Sequence, residues 1–147
     1  MSRASIPLEA TLRVRDSCLC LHLQRAARAM ARRFDEALRP VGLTNGQFSL
    51  LMSLNRPEPP GIGSVAALLA VDRTTLTAAL KPLERRGLVK VATDGADRRS
   101  RRLNLTPRGG RLLASAMPIW ERTHLEVEAL LHDSDPDRLR SDLIAVS

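Results

Sequence analysis

Hydrophobic and polar positions follow a helical period through most of the chain, interrupted by one short stretch that alternates. In residues 11–41, Cys20, Leu23, Ala27, Met30, Phe34 and Leu38 recur every three or four positions and form one apolar stripe, with Arg25, Arg28, Arg32, Arg33 and Glu36 mainly off it. This predicts a first long helix, ended by Pro40. Residues 43–54 predict a second, in which Thr44 and Gln47 have capping-box spacing and Phe48, Leu51 and Met52 supply the buried side. The run NRPEPPGIG cannot be helix interior, and Ile62 within it is a candidate for a short strand. From residue 64 the order becomes a short apolar helix, a tight turn, a second amphipathic helix and two strand-like runs. In the later run Leu103 and Leu105 alternate with Arg102 and Asn104, the period of a half-buried strand. Thr106 followed by Pro107 then marks a helix start. Leu112, Leu113, Ala116, Ile119, Trp120, Val127 and Leu130 carry that helix to residue 131, with a bend at Pro118. A last helix is expected over residues 137–146, with Leu139, Leu143 and Ile144 apolar. The expected fold is mainly α with one small β-ribbon, in a single domain.

Charge changes the picture only in residues 64–105. That stretch holds nine basic and four acidic residues, so most of the chain's net charge of +7 sits there. A phosphate backbone is the natural partner. Within the second helix of the stretch, Leu76, Leu80 and Leu83 share one face, while Thr74, Ala78, Lys81 and Arg85 point the other way with Thr77 on the flank. Asp72 is placed to cap the helix, leaving Arg73, Thr74 and Thr75 in its first turn. Gly87 closes it from a left-handed position, and Pro82 predicts a bend. Hydroxyls and a methyl beside two long cations suit the major groove, where they meet thymine methyls, guanine edges and phosphates. The arginines of DRRSRR, at the tip of the ribbon, suit a minor groove.

These residues carry a resemblance. DRTTLTAALKPLERRGLV followed by DGADRRSRRLNLTPRG resembles the recognition helix and wing of the MarR family of winged helix-turn-helix regulators. The resemblance implies a homodimer that binds double-stranded DNA, with recognition helices in successive major grooves and wings in the flanking minor grooves. It assigns 43–105 to the DNA-binding lobe, and 11–41 and 107–147 to dimerisation helices. Asp97 and Arg99 match the family's D-x-R pair. Asp97 then orients the wing and Arg99, with Arg98 and Arg101 beside it, reaches DNA. The resemblance also implies a small, often aromatic effector, for which His22, Arg25 and Trp120 are candidate lining residues. A redox-sensing regulator and a non-specific architectural DNA-binding protein are the alternatives.

Other classes lose ground. No run of apolar residues is long enough to span a bilayer and the N-terminus lacks a signal-peptide core, so a cytoplasmic protein is expected. His22, His124 and His132 are scattered, none at metal-ligand spacing, and no phosphate loop, dinucleotide fingerprint or nucleophile elbow appears. Neither an enzyme nor a bound cofactor is expected. Cys18 and Cys20, two apart on the expected helix, would point about 200° apart, which argues against a disulfide between them. The run LCLHLQRAAR resembles the first helix of the family's organic-hydroperoxide-sensing branch, with Cys20 at the reactive position. That branch holds its thiolate with tyrosines, whereas this chain has none and carries Gln24 and Phe48 at the matching places. Cys20 is therefore expected to be a small buried hydrophobe.

Overall fold

The structure, a computed structural model, describes residues 5–93, 95 and 100–147. The element order is α1 (Leu8–Ser17), α2 (Leu19–Leu38), a 3-10 turn (Arg39–Val41), α3 (Asn45–Leu54), α4 (Ile62–Leu69), α5 (Arg73–Arg85), β1 (Val89–Thr93), β2 (Arg101–Leu105), α6 (Pro107–Glu128) and α7 (Pro136–Ala145). The chain forms two compact units, Met1–Arg33 and Phe34–Ser147.

In the first unit the expected single helix over 11–41 is two helices. Cys18 leaves the helical region, with φ −71° and ψ 109°, while its N–H closes α1 on the Val14 carbonyl. The apolar stripe that predicted the helix begins at Cys20, beyond this point, and so placed no constraint on the backbone at Cys18. At its far end α2 stops at Leu38, and a 3-10 turn containing Pro40 follows. No residue of α1 is buried.

The second unit holds the core, in which Leu38, Leu43, Phe48, Leu51, Leu76, Leu80, Leu83, Leu88, Leu103, Leu113 and Ala116 are buried together. Its helices start where their caps require. Thr44 and Gln47 form the complete capping box of α3. Asp35, near the end of α2, accepts from both the backbone N–H and the side-chain amide of Asn45, each at 2.7 Å. That carboxylate fastens α2 to the first turn of α3, and the two bonds hold its pKa below the ordinary aspartate range.

Ile62 is not in a strand; it opens α4, two residues earlier than the apolar run suggests. Its neighbour Gly61 makes the bridge instead, pairing with Arg102, and the Leu103 N–H donates to the Pro60 carbonyl at 2.9 Å. The connector thus lies beside the ribbon as expected, one residue out of register. Strands β1 and β2 pair antiparallel, with Val89 opposite Leu105 and Val91 opposite Leu103.

Two glycines set the geometry where α5, the ribbon and α6 meet. Gly87 has φ +70°, the left-handed conformation that ends α5. Its carbonyl accepts the Thr106 hydroxyl at 2.7 Å, and the Thr106 backbone N–H donates to the Leu88 carbonyl at 3.1 Å. Thr106 also accepts from the Gly109 N–H at 3.0 Å, so one residue caps α6 and ties it to the end of α5. Pro118 lies within α6, which runs unbroken to Glu128.

Candidate nucleic-acid interface and adjoining cleft

The surface of α5 follows from its sequence. Leu76, Leu80 and Leu83 are buried on one side. Thr74, Thr77, Ala78, Lys81 and Arg85 are exposed on the rest. The Asp72 side chain accepts from the Thr75 N–H at 2.7 Å and from its hydroxyl at 3.0 Å, which holds the Asp72 carboxylate below the ordinary range. The Thr75 hydroxyl proton is therefore committed to the cap. Thr77 donates back to the Arg73 carbonyl at 2.8 Å, and the Arg73 guanidinium packs over Gly63 at the start of α4. Thr74, Ala78, Lys81 and Arg85 remain as the outward row. Helices α4 and α5 meet at a bend of 103°, within the range of a helix-turn-helix.

Among the ribbon candidates, Arg101 is exposed at the start of β2, across from Thr93. Asp97, Arg98 and Arg99 lie outside the described residues. Arg86, which follows α5, is turned inward: its Nη1 donates to the Gly42 carbonyl at 2.9 Å, bracing the helix against the turn after α2.

Of the candidate effector residues, His22 and Arg25 line a groove on α2 within the first unit, with Ala26, Arg28, Ala29 and Arg32. Trp120 lines a cleft of about 350 Å³ within the second unit, with Phe48, Ser49, Met52, Ser53, Arg56, Leu68 and Met117. The cleft is aromatic and thioether-rich, with Arg56 as its cation; the Arg56 Nε donates to the Ser53 carbonyl at 3.2 Å. Phe48 stacks on Trp120 at 6.2 Å, and Trp120 on His124 at 4.7 Å. Sequence reasoning missed Met52, Arg56, Leu68 and Met117 as lining residues. The four-residue step from Phe48 to Met52 and on to Arg56 was the available signal.

Cys20 is exposed, not buried, and its sulfur accepts from the Gln24 amide at 3.4 Å. The expectation of burial fails: within α2 only Leu38 is buried. Since Cys18 sits in the break between α1 and α2, the helical 200° argument does not describe this pair. Among the described residues no cluster of His, Cys, Asp or Glu could hold a metal ion, and no single helix is long and apolar enough to cross a membrane.

Comparison with known proteins places this geometry. Residues 43–100 match the model of the MarR family. The transcriptional regulator HosA of Escherichia coli O157:H7 is 39% identical over 81 residues, covering 54% of this chain and 58% of HosA. The transcriptional activatory protein BadR of Rhodopseudomonas palustris is 34% identical over 94 residues, covering 62% of this chain and 54% of BadR. The chain thus spans little more than half the length of these curated relatives. Coverage is greater among solved structures. The M. tuberculosis transcriptional regulator MosR in complex with DNA is 40% identical, with a TM-score of 0.80 over 88% of this chain and 93% of that one. The repressor CouR of Rhodococcus jostii RHA1, bound to a 23-mer DNA duplex, is 31% identical, with a TM-score of 0.80 over 90% of this chain and 94% of that one. The relatives are regulators and not enzymes, and with the lobe matched and regulators of this identity aligned almost throughout, the chain belongs to the MarR family of DNA-binding transcriptional regulators.

Proposed function

We propose that the protein is a ligand-responsive repressor that binds an inverted-repeat operator as a homodimer. The observation that carries this reading is the outward row Thr74, Ala78, Lys81 and Arg85 on a helix whose opposite face is fully committed to the core. In the major groove these side chains read base edges, with Arg73, Thr75 and Thr77 beside them, while Asp97, Arg98, Arg99 and Arg101 serve the wing. Homodimerisation is supported by apolar side chains left in solvent toward both chain ends: Ile6, Leu8 and Ile144 are 77%, 71% and 74% exposed, and Val14, Leu19, Leu139, Leu143 and Val146 are exposed with them. A second copy about a twofold axis covers such surfaces.

The effector reading rests on the Trp120 cleft. Its aromatic and thioether walls suit a flat ring, and Arg56 suits a carboxylate, so the ligand class is a small aromatic acid. Its entry lowers affinity for the operator. Footprinting on promoter DNA tests the whole: one discrete inverted repeat, lost when either half-site is scrambled, supports the repressor, and diffuse protection supports an architectural protein instead. Transcription that falls when the protein is removed would make it an activator.

The second reading, a redox-sensing regulator, is favoured by the exposed Cys20 sulfur and its Gln24 contact. A hydroperoxide would oxidise that thiol to a sulfenic acid and itself be reduced to the alcohol. Operator release by micromolar hydroperoxide, lost in Cys20→Ser and reversed by dithiothreitol, would establish it. The same response in both proteins rejects it.

A further inference from the structure

The ring that lines the cleft is held from behind its own helix turn. His124, one turn along α6 from Trp120, stacks on the indole with centroids 4.7 Å apart and planes 7° from parallel. The His124 Nε2 lies 3.0 Å from Glu128 Oε1, and the same oxygen accepts from Arg140 Nη1 of α7 at 2.7 Å. The other Arg140 nitrogen reaches Asp137. A continuous series of contacts therefore runs from Phe48 in α3, through Trp120, His124 and Glu128 on α6, to Arg140 in α7.

We infer that His124 is a positioning residue for the effector cleft: it sets the indole of Trp120 and holds it more firmly when protonated. The inference rests on the effector reading above for its consequence, but its physical content lies in the ring pair. An imidazole is the side chain whose charge changes between about pH 5 and pH 8. Once charged, its bond to Glu128 becomes charge-assisted, and a cation lies over the electron-rich indole face. Each change favours the geometry already present. Glu128 on α6 attracts the imidazolium directly, Arg140 of α7, which shares the same Glu128 oxygen, opposes it, and Asp137 offsets Arg140. From α3 the phenyl ring of Phe48 stacks on Trp120. Hydrogen bonding to Arg140 keeps the Glu128 carboxyl below the ordinary range, so an ionised acceptor stands beside His124.

Trp120 is the chain's single tryptophan, so its emission reports on this contact. The test uses the full chain, first without ligand. Protonated imidazole quenches a stacked indole, so emission falls as the pH is lowered through the histidine range, and His124→Phe, which keeps a ring and loses the proton, abolishes the step. Benzoate, the simplest aromatic acid, then serves as probe. It binds about tenfold more tightly near pH 5 than near pH 8. His124→Phe binds it equally at both, His124→Ala binds it more weakly at both, and Glu128→Gln narrows the difference. Absence of the emission step in the wild type overturns the inference without recourse to any variant, and so does a step that survives in His124→Phe. If benzoate binds at neither pH while the step is present and is lost in His124→Phe, the effector reading fails and the role of His124 toward Trp120 stands.

Discussion

Gly109 lies directly against the carbonyl of Leu88: a Cβ built on Gly109 would come within 2.1 Å of that oxygen and 2.8 Å of a Leu105 methyl. The first turn of α6 can approach the α5–β1 junction this closely only without a side chain. Gly109→Ala is expected to destabilise the protein by about 3 kcal/mol, through overpacking against backbone that cannot retreat. Gly110, with nothing within 4 Å of its own Cβ position, is the control. Gly110→Ala is expected to stabilise by up to about 1 kcal/mol through helix propensity. Urea denaturation of the two variants reads both signs.

The outward row of α5 predicts a divided mutational response in DNA binding. Thr74→Ala and Lys81→Ala are each expected to weaken operator binding by about 1 to 3 kcal/mol without loss of thermal stability. Leu80→Ala, on the buried side, is expected to cost about 2 to 5 kcal/mol of folding stability. Equal operator affinity in Lys81→Ala, measured by fluorescence anisotropy at fixed salt, would remove α5 from the interface.

Asp35 predicts a pH dependence of known sign. Its carboxylate is held below the ordinary range by the two bonds from Asn45, so the folded state binds its proton less readily than the unfolded chain. The contribution is fully present above the unfolded aspartate range and is lost as pH falls through the lower, folded value. In Asp35→Asn this part of the acid-side decline should disappear. Thermal melts of both proteins from neutral to acidic pH compare the slopes directly.

Deleting residues 137–147 tests assembly. The deletion removes exposed Leu139, Leu143, Ile144 and Val146, together with the Arg140 partner of Glu128. The dimer should dissociate at higher protein concentration, and operator binding should weaken with it. Sedimentation velocity decides; a truncated monomer with undiminished operator affinity would move the interface elsewhere.

Local chemistry was legible in the sequence wherever one residue type meets one backbone requirement. The caps at Asp72, Thr44 and Thr106, the left-handed Gly87 and the buried Leu76, Leu80 and Leu83 all stand where spacing put them. The break at Cys18 was not legible, because no proline or glycine marks it and the apolar stripe starts only beyond it, at Cys20. The cleft was half legible. Trp120 entered as a candidate through the family resemblance, but its partners Phe48, Met52 and Leu68 come from two other helices, and only tertiary packing brings them together. His124 read as one of three scattered histidines since its meaning depends on Arg140, which lies beyond a helix break.

The two ends of the ribbon meet where the Thr106 N–H donates to the Leu88 carbonyl, while Val89 and Leu103 keep its body in the core and the Leu103 N–H holds the Pro60 carbonyl. Seventeen residues lie between Leu88 and Thr106. Selection for stability therefore weighs on the base of the hairpin, where Val89, Leu103, Thr106 and Gly109 are fixed by packing and hydrogen bonds, and a substitution there carries a folding cost before it alters any contact with a partner.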